Sequence, residues 1–589
     1  MPFVTKDAEC HHIAERSMAA SEFDFIVVGS GPAGASVAWR LANSKKAPSI
    51  LLVEAGGLNS NIDWRVDAER WVSRFNPELN YNYITVPQKH VDNRQISYDR
   101  GRGLGGSSAI NFCVWNIGPK DDHDEIARLA GDDDWKWDNA KERYKRIEDY
   151  HGFAPDIPSG MERYLNPKPE DRGRGGPIKI GMPRTWEPTL TKIMDIWADA
   201  GYKLRADLGD GDGIGLTVCP NTGFKGVRST SADMVAGPSN LHIATNSQVV
   251  KVLFDGKAVG VETITGDVYR ASKEVILSAG ALDTPKILML SGIGPREQLS
   301  KFGIPIVHEN SAVGRNLIDH CHISPTWERR ETPDMAARIA FYRASLEEKA
   351  AAREQWQKHR SGPLVEIGTN AALGMFKAPA VFTSKEFADL PDDTKHFLRA
   401  PTTPSYEIIL DGPPIEYFVD PTNSPALAAF YIFVMNQQSR GSVTLQSADP
   451  KEPLLYDPNY FEHPFDRRVA VEAVREVLKV VEASAVSKDI VGPSAISGAP
   501  KSSSDEDILD YWKKNMSSTW HMAGTCKMGK SEEDGAVVDS KLRVFGVENL
   551  RVADMSVVPI MPNNHTQTTA YLVGLTLGDK LANQYGLDE

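Results

Sequence analysis

The chain reads as α/β (α+β overall), with one Rossmann-type lobe and a second lobe built on a mainly antiparallel sheet flanked by helices. Three observations predict this. The 589 residues exceed the roughly 250–300 at which a single core stops growing, so two large lobes are expected. Near the start, FDFIVVG, PAGASVAWRLANS and SILLVEAG form a buried apolar strand, a segment of helical spacing and a second strand. This is a βαβ unit of about thirty residues. Further on, AAFYIFVMN and SRGSVTLQS read as neighbouring antiparallel strands. FDRRVAVEAVREVLKVVEAS carries the 3–4-residue apolar spacing of an amphipathic helix.

Additional strands are expected at Leu241–Ile243, Val249–Phe254, Val259–Ile264 and in EVILSAG (274–280). NLRVADMSVVP predicts a strand running into a loop, and TTAYLVGLTLGDKLANQY a final helix. Residues 120–225 are more polar, and 330–430 show only one clear pattern, a charged helical stretch near ASLEEKAAAREQWQKHR. Hydrophobic residues make up 41% and charged residues 25%, the balance of a globular protein. The net charge of −13 repels phosphate backbones and argues against nucleic acid. Five scattered cysteines make no disulfide framework. No run of about 18 apolar residues exists to span a membrane. The first residues lack the apolar core of about 7–15 residues that a secretory signal needs, so a cytoplasmic enzyme is expected.

The turn after the first strand carries the first chemistry. Gly29, Gly31 and Gly34 spell GxGxxG at the opening of a helix. Gly29 permits the tight turn, Gly31 lets a pyrophosphate approach, and Gly34 lets helix and strand pack closely. The helix N-terminus then faces the anion. Glu54 closes the second strand, twenty residues after Gly34, where a carboxylate can accept from ribose hydroxyls and disfavours a 2′-phosphate. A second side-chain-poor turn, Gly105, Gly106, Ser107 and Ser108, exposes amides and hydroxyls to a diphosphate or a flat ring.

Longer blocks carry a resemblance. GRGLGGSSAIN (101–111) and GALDTPKILMLSGIG (280–294) are similar to the two signatures of the glucose–methanol–choline (GMC) flavoprotein oxidoreductases. TWHMAGTCKMG (519–529), LRVADMSVVP (550–559) and NHTQ (564–567) resemble further family blocks, in the family's order. The flavour is that of the fungal aryl-alcohol and formate oxidase branch. The resemblance implies FAD as cofactor, with 23–160, 226–325 and 535–589 forming a discontinuous FAD-binding domain. Residues 161–225 and 326–534 would form the substrate-binding domain.

It also implies that Asn111, Phe112 and Val114 lie along the isoalloxazine and that Val249 meets the adenine end. Asp554 would face the ribityl–phosphate region, with Thr566 and Gln567 approaching the flavin. Some members attach FAD through a histidine in the first signature. Ile110 stands at that position here, so non-covalent FAD is expected.

The activity implied is oxidation of a primary or secondary alcohol by hydride transfer to the flavin, with O2 or a quinone-type acceptor closing the cycle. A base of near-neutral pKa must take the hydroxyl proton, and histidine fits. His521 and His565, forty-four residues apart, match the family's two catalytic positions. His521 is read as the base, with a pKa in the histidine range, and His565 as the partner that binds the substrate oxygen. The roles can be exchanged, and Asn564 competes for the second. Formate oxidases carry an arginine at the position of His565, and its lack argues against a small acid as substrate. The run Asp319-His320-Cys321-His322 packs metal-type ligands together, but adjacent residues rarely converge on one tetrahedral ion, so no metal is expected. A flavin-containing lyase or decarboxylase of the same family is the alternative reading, and a flavoprotein with a dead site a third.

Overall fold

The computed structural model describes residues 22–589 except 154–156, 158, 183–185, 187–188, 367–370, 411, 414–415, 420–422 and 484. The first sheet is built from β1 (Glu22–Val28), β2 (Ile50–Val53), β3 (Leu241–Ala244), β4 (Val249–Asp255), β5 (Lys257–Thr263), β6 (Val268–Leu277) and β7 (Leu550–Val552). Its order is β3-β2-β1-β6-β5-β4. The C-terminal half of β6 pairs instead with β7. The β3, β2, β1, β6 and β7 pairings are parallel, and β4 and β5 add an antiparallel ribbon. Strands covered on both faces must be apolar throughout, and all four residues of β2 are buried.

Helix α1 (Pro32–Ala42) follows β1, α2 (Gly280–Leu290) follows β6, and α3 (Gln567–Gln584) closes the chain. Helices α1 and α3 pack backbone to backbone: a Cβ at Gly574 would sit 2.0 Å from the Ala33 carbonyl oxygen. The end of α3 is pinned to the sheet by a buried ion pair, Arg551 Nη2 to Glu274 Oε1 at 2.9 Å, which Gln584 Nε2 joins at 3.0 Å.

The second sheet runs Ile490–Pro493, Thr326–Arg329, Ala426–Val434, Tyr406–Leu410, Ala371–Phe376, Gly215–Cys219. Every pairing in it is antiparallel. Cys321–Ile323 adds to Ala426–Val434 and to Ser517–Ser518. The helix Pro464–Ala483 packs against the central strand. The expected pairing of 426–434 with 441–444 does not occur. Asn436, at φ +57°, turns the chain out of the extended run. Gly441–Thr444 then joins a separate sheet with Arg315–Leu317 and Leu455–Asp457. The polar stretches that gave little sequence signal hold the helices Lys120–Ala130, Trp137–Ile147, Pro333–Arg343 and Asp392–Arg399. No helix among the described residues is long and apolar enough to cross a membrane.

Candidate active site

A cavity of about 740 Å³ opens over the carboxyl ends of β1, β2 and β6 and extends to the second sheet. Doubly wound sheets place ligands at this edge. Of the residues singled out in the sequence, Gly34, Gly105, Asp319, His320, Cys321 and Asn564 do not line it, and the others do. Gly34 and Gly105 shape it from behind. A Cβ at Gly34 would meet the Gly29 carbonyl oxygen at 2.0 Å, and Gly105 turns the chain at φ +101°.

At one end the two glycine turns meet. Gly29 holds φ +99°, and a Cβ there would strike Ser278 O at 2.4 Å. A Cβ at Gly106 would lie 2.7 Å from Gly31 Cα. At Gly31 itself a Cβ would meet nothing within 4 Å: that direction opens into the cavity. Gly31 is also the N-cap of α1, with Pro32 behind it and no capping side chain, so the first amides are available to an anion. This cradle fits a pyrophosphate.

Glu54 is more occupied than the sequence reading supposed. Its Oε1 accepts from Gly56 N (2.9 Å) and Gly103 N (3.0 Å), and its Oε2 from Ser30 N (3.0 Å) and Ser30 Oγ (2.7 Å). It ties three loops together at the rim, and a ribose hydroxyl reaches it only where the Ser30 hydroxyl swings aside.

Asn111 Nδ2 donates to Gln567 Oε1 (2.9 Å), and Gln567 Nε2 to Val114 O (2.6 Å). This cross-brace sets the NFCV segment against the start of α3. Ser107 Oγ accepts from Gly101 N (3.0 Å). Asp554 accepts from Gly280 N (2.9 Å), Thr284 Oγ1 (2.5 Å) and Ser556 N (2.8 Å). Burial pushes its carboxyl above the usual range, against those donors. Val249 and Thr566 also line the cavity, Thr566 next in the chain to His565.

His521 and His565 face each other across the opposite end, ring centroids 5.2 Å apart and nearly perpendicular at 76°. Each is held from behind. His565 Nε2 lies 2.8 Å from Oε1 of Glu407, a fully buried residue whose Oε2 has no partner among the described residues. His521 Nδ1 lies 3.0 Å from His320 Nδ1, and the His521 amide donates to Asp319 Oδ1 at 2.8 Å. Asp319 Oδ2 also accepts from Ser518 Oγ (2.6 Å) and the Tyr460 hydroxyl. Burial, reinforced by His565, His320, Arg100 and His322, holds the His521 imidazole well below its ordinary range. The ordinary value expected from the sequence is thereby corrected downward. Burial likewise lowers His320 to about 3 and His322 to about 4.

Aromatic side chains wall this end. Phe112 meets Trp520 edge-on at 5.8 Å, the Arg74 guanidinium lies 4.4 Å over Trp520, and His322 stacks on Phe433 at 5.3 Å. Trp520 and Phe418 reach the cavity, while Tyr406 and Tyr417 are buried away from it.

Glu407 and His320 were not assigned a role by the sequence. Glu407 had no signal, being one polar residue in the buried strand YEIIL. His320 was visible only within the Asp319–His322 run.

The arrangement and the sequence blocks have a match among known proteins. The GMC oxidoreductase model fits residues 23–322 and 437–574. The chain belongs to the GMC oxidoreductase family. It is 30% identical to the dehydrogenase pkfF of Emericella nidulans, over 95% of this chain and 92% of that one. It is also 30% identical to the patulin synthase of Aspergillus clavatus, over 95% and 91%. Among solved structures, a variant of Aspergillus oryzae formate oxidase superposes with a TM-score of 0.85 at 27% identity, covering 97% of this chain and 100% of that one. FAD is the cofactor of this flavoprotein oxidoreductase.

Proposed function

We propose that this enzyme oxidises the CH–OH group of an alcohol with an aromatic or otherwise apolar body, and that His521 takes the hydroxyl proton. The observation that carries the reading is the facing pair of buried imidazoles, 5.2 Å apart at the end of the FAD cavity. Both rings line the cavity, so a substrate hydroxyl entering it meets the two imidazole edges together. FAD, held by the Gly31 cradle, the Asn111–Gln567 brace and the Asp554 loop, supplies the hydride acceptor.

The chain's own residues do the rest. His521 is kept neutral by burial, and its Nδ1 is engaged by His320, so Nε2 is the nitrogen left to receive a proton. His565 is engaged at Nε2 by Glu407, so Nδ1 is left for the substrate oxygen. The Glu407 carboxylate balances the positive charge the ring carries whenever it donates there. Phe112, Trp520 and Phe433 exclude water and pack the substrate body. The imidazole at 565, with no guanidinium in its place, disfavours a carboxylate substrate. Ile110 leaves FAD held without a covalent bond, and O2 or a quinone-type acceptor completes turnover.

The test is anaerobic mixing with a panel of primary alcohols. Aromatic and long-chain alcohols should bleach the flavin, and peroxide on readmitting air would identify O2 as acceptor. A flavin that stays oxidised with every alcohol while substrate is cleaved would give the reaction to the lyase class and overturn the proposal.

A further inference from the structure

His320 takes no direct part in the chemistry proposed above, yet it is the side chain on which His521 rests. It follows Asp319 at the entry to the strand Cys321–Ile323 and is wholly buried. The two Nδ1 atoms lie 3.0 Å apart, with the rings at 71°. At that distance two lone pairs repel and two N–H groups collide, so one proton must lie between them. Asp319, accepting from the His521 amide at 2.8 Å, fixes the backbone from which the ring is carried.

Which ring owns that proton decides what His521 can do. If His521 Nδ1 donates, its Nε2 carries a lone pair into the cavity and can accept a hydroxyl proton. If His320 donates, the hydrogen of neutral His521 sits on Nε2, and that nitrogen cannot act as a base. Only the first arrangement serves the chemistry proposed above. It places an N–H on His320 Nε2, an atom sealed from solvent with no partner among the described residues. A buried N–H demands an acceptor, and an ordered internal water is the smallest that serves.

We propose that His320 is a positioning residue that fixes the tautomer of His521: it accepts the His521 Nδ1 proton, so that the Nε2 lone pair faces the substrate, and its own Nε2–H is held by an internal water. This rests on the reading of His521 as the base.

Two variants and one spectrum test it on the FAD-loaded enzyme. His320→Asn keeps an oxygen acceptor close to the position of Nδ1. His320→Leu fills similar space without one. The Leu variant should retain FAD and reduce it about 10²–10³-fold more slowly at saturating alcohol, within the range of a misplaced acid–base group. The concentration of alcohol giving half the maximal rate should hardly change. The Asn variant should recover to within about tenfold of wild type, as the loss is of an acceptor and not of packing. In wild-type enzyme labelled with ¹⁵N-histidine, the resonances that disappear in His521→Ala should show a protonated Nδ1 and an unprotonated Nε2.

The spectrum needs no substrate and no foldable His320 variant. It therefore still decides the tautomer if the alcohol screen fails and the reaction reading falls alone. A protonated Nε2 on His521, a Leu variant as fast as wild type, or Asn and Leu variants that are equally slow would overturn the proposal.

Discussion

Glu407 is where the geometry makes its sharpest demand. The residue is 0% exposed, with Oε1 at 2.8 Å from His565 Nε2 and Oε2 without a partner among the described residues. Two unit charges at that separation attract by about 6 kcal/mol at an effective dielectric of about 20. Desolvating the carboxylate subtracts from that, and charge-assisted hydrogen bonds retain about 1.5–3 kcal/mol. Glu407→Gln preserves the shape and removes the charge. If His565 draws on that charge when it binds the substrate oxygen, the transition state loses about 1.5–3 kcal/mol. At about 1.4 kcal/mol per decade, flavin reduction slows by about 10–150-fold.

The assay is anaerobic stopped-flow reduction at saturating alcohol, with FAD content as the control for folding. Because Glu407 acts through His565, Glu407→Gln added to His565→Ala should cost little more than His565→Ala alone. A Glu407→Gln enzyme that reduces its flavin at the wild-type rate would remove Glu407 from the mechanism. A double variant that pays both penalties in full would show that Glu407 acts elsewhere.

Gly31→Val should fold and melt like the apoprotein yet carry no flavin, because its side chain enters space that is open in the protein but needed by the pyrophosphate. Full FAD occupancy would move the phosphate turn elsewhere. Acid or heat precipitation should release yellow flavin into the supernatant, since Ile110 offers no nucleophile, and flavin pelleting with the protein would refute non-covalent binding. His521 is competent as a base above its folded pKa and loses competence as pH falls through it. With that pKa pushed well below 6.5, the reductive rate should stay level down to about pH 6.5 and decline only in more acid buffer. His521→Ala should be about 10²–10⁴-fold slower and lack this acid limb. A wild-type limb centred at 6.5 would contradict the burial argument.

The β1–turn–α1–β2 unit was legible because independent signals coincide there. An apolar run, glycines at fixed spacing, a helical period and a terminal carboxylate each constrain the same thirty-odd residues. The strand at 426–434 was equally legible, but its partners were not. Adjacency in sequence favoured 441–444, whereas hydrogen bonding chose strands beginning at 321, 326 and 406. Register between distant segments leaves no local mark. The same limit hid Glu407: 158 residues separate it from His565, and nothing in YEIIL distinguishes a carboxylate behind an imidazole from any other buried acid. His320 was in view, but ligand-type residues in a row pose a metal question first. The answer lay in which side of the chain each residue faces, with Asp319 bonded to the His521 amide and His320 to its ring.

Two chemically identical rings, 5.2 Å apart, are thus offered different work by what stands behind them. Behind His521 stands a second imidazole that burial keeps uncharged. Such a partner can exchange a hydrogen bond but cannot balance charge, so His521 stays neutral until it meets a proton to accept. Behind His565 stands a carboxylate, which can balance the positive charge the ring carries when it donates to the substrate oxygen. On taking the proton, His521 carries its charge against a partner that cannot balance it and is driven to pass the proton on, whereas a charge on His565 lies against Glu407. The supporting pair therefore breaks a symmetry that the catalytic pair, by its sequence alone, leaves open.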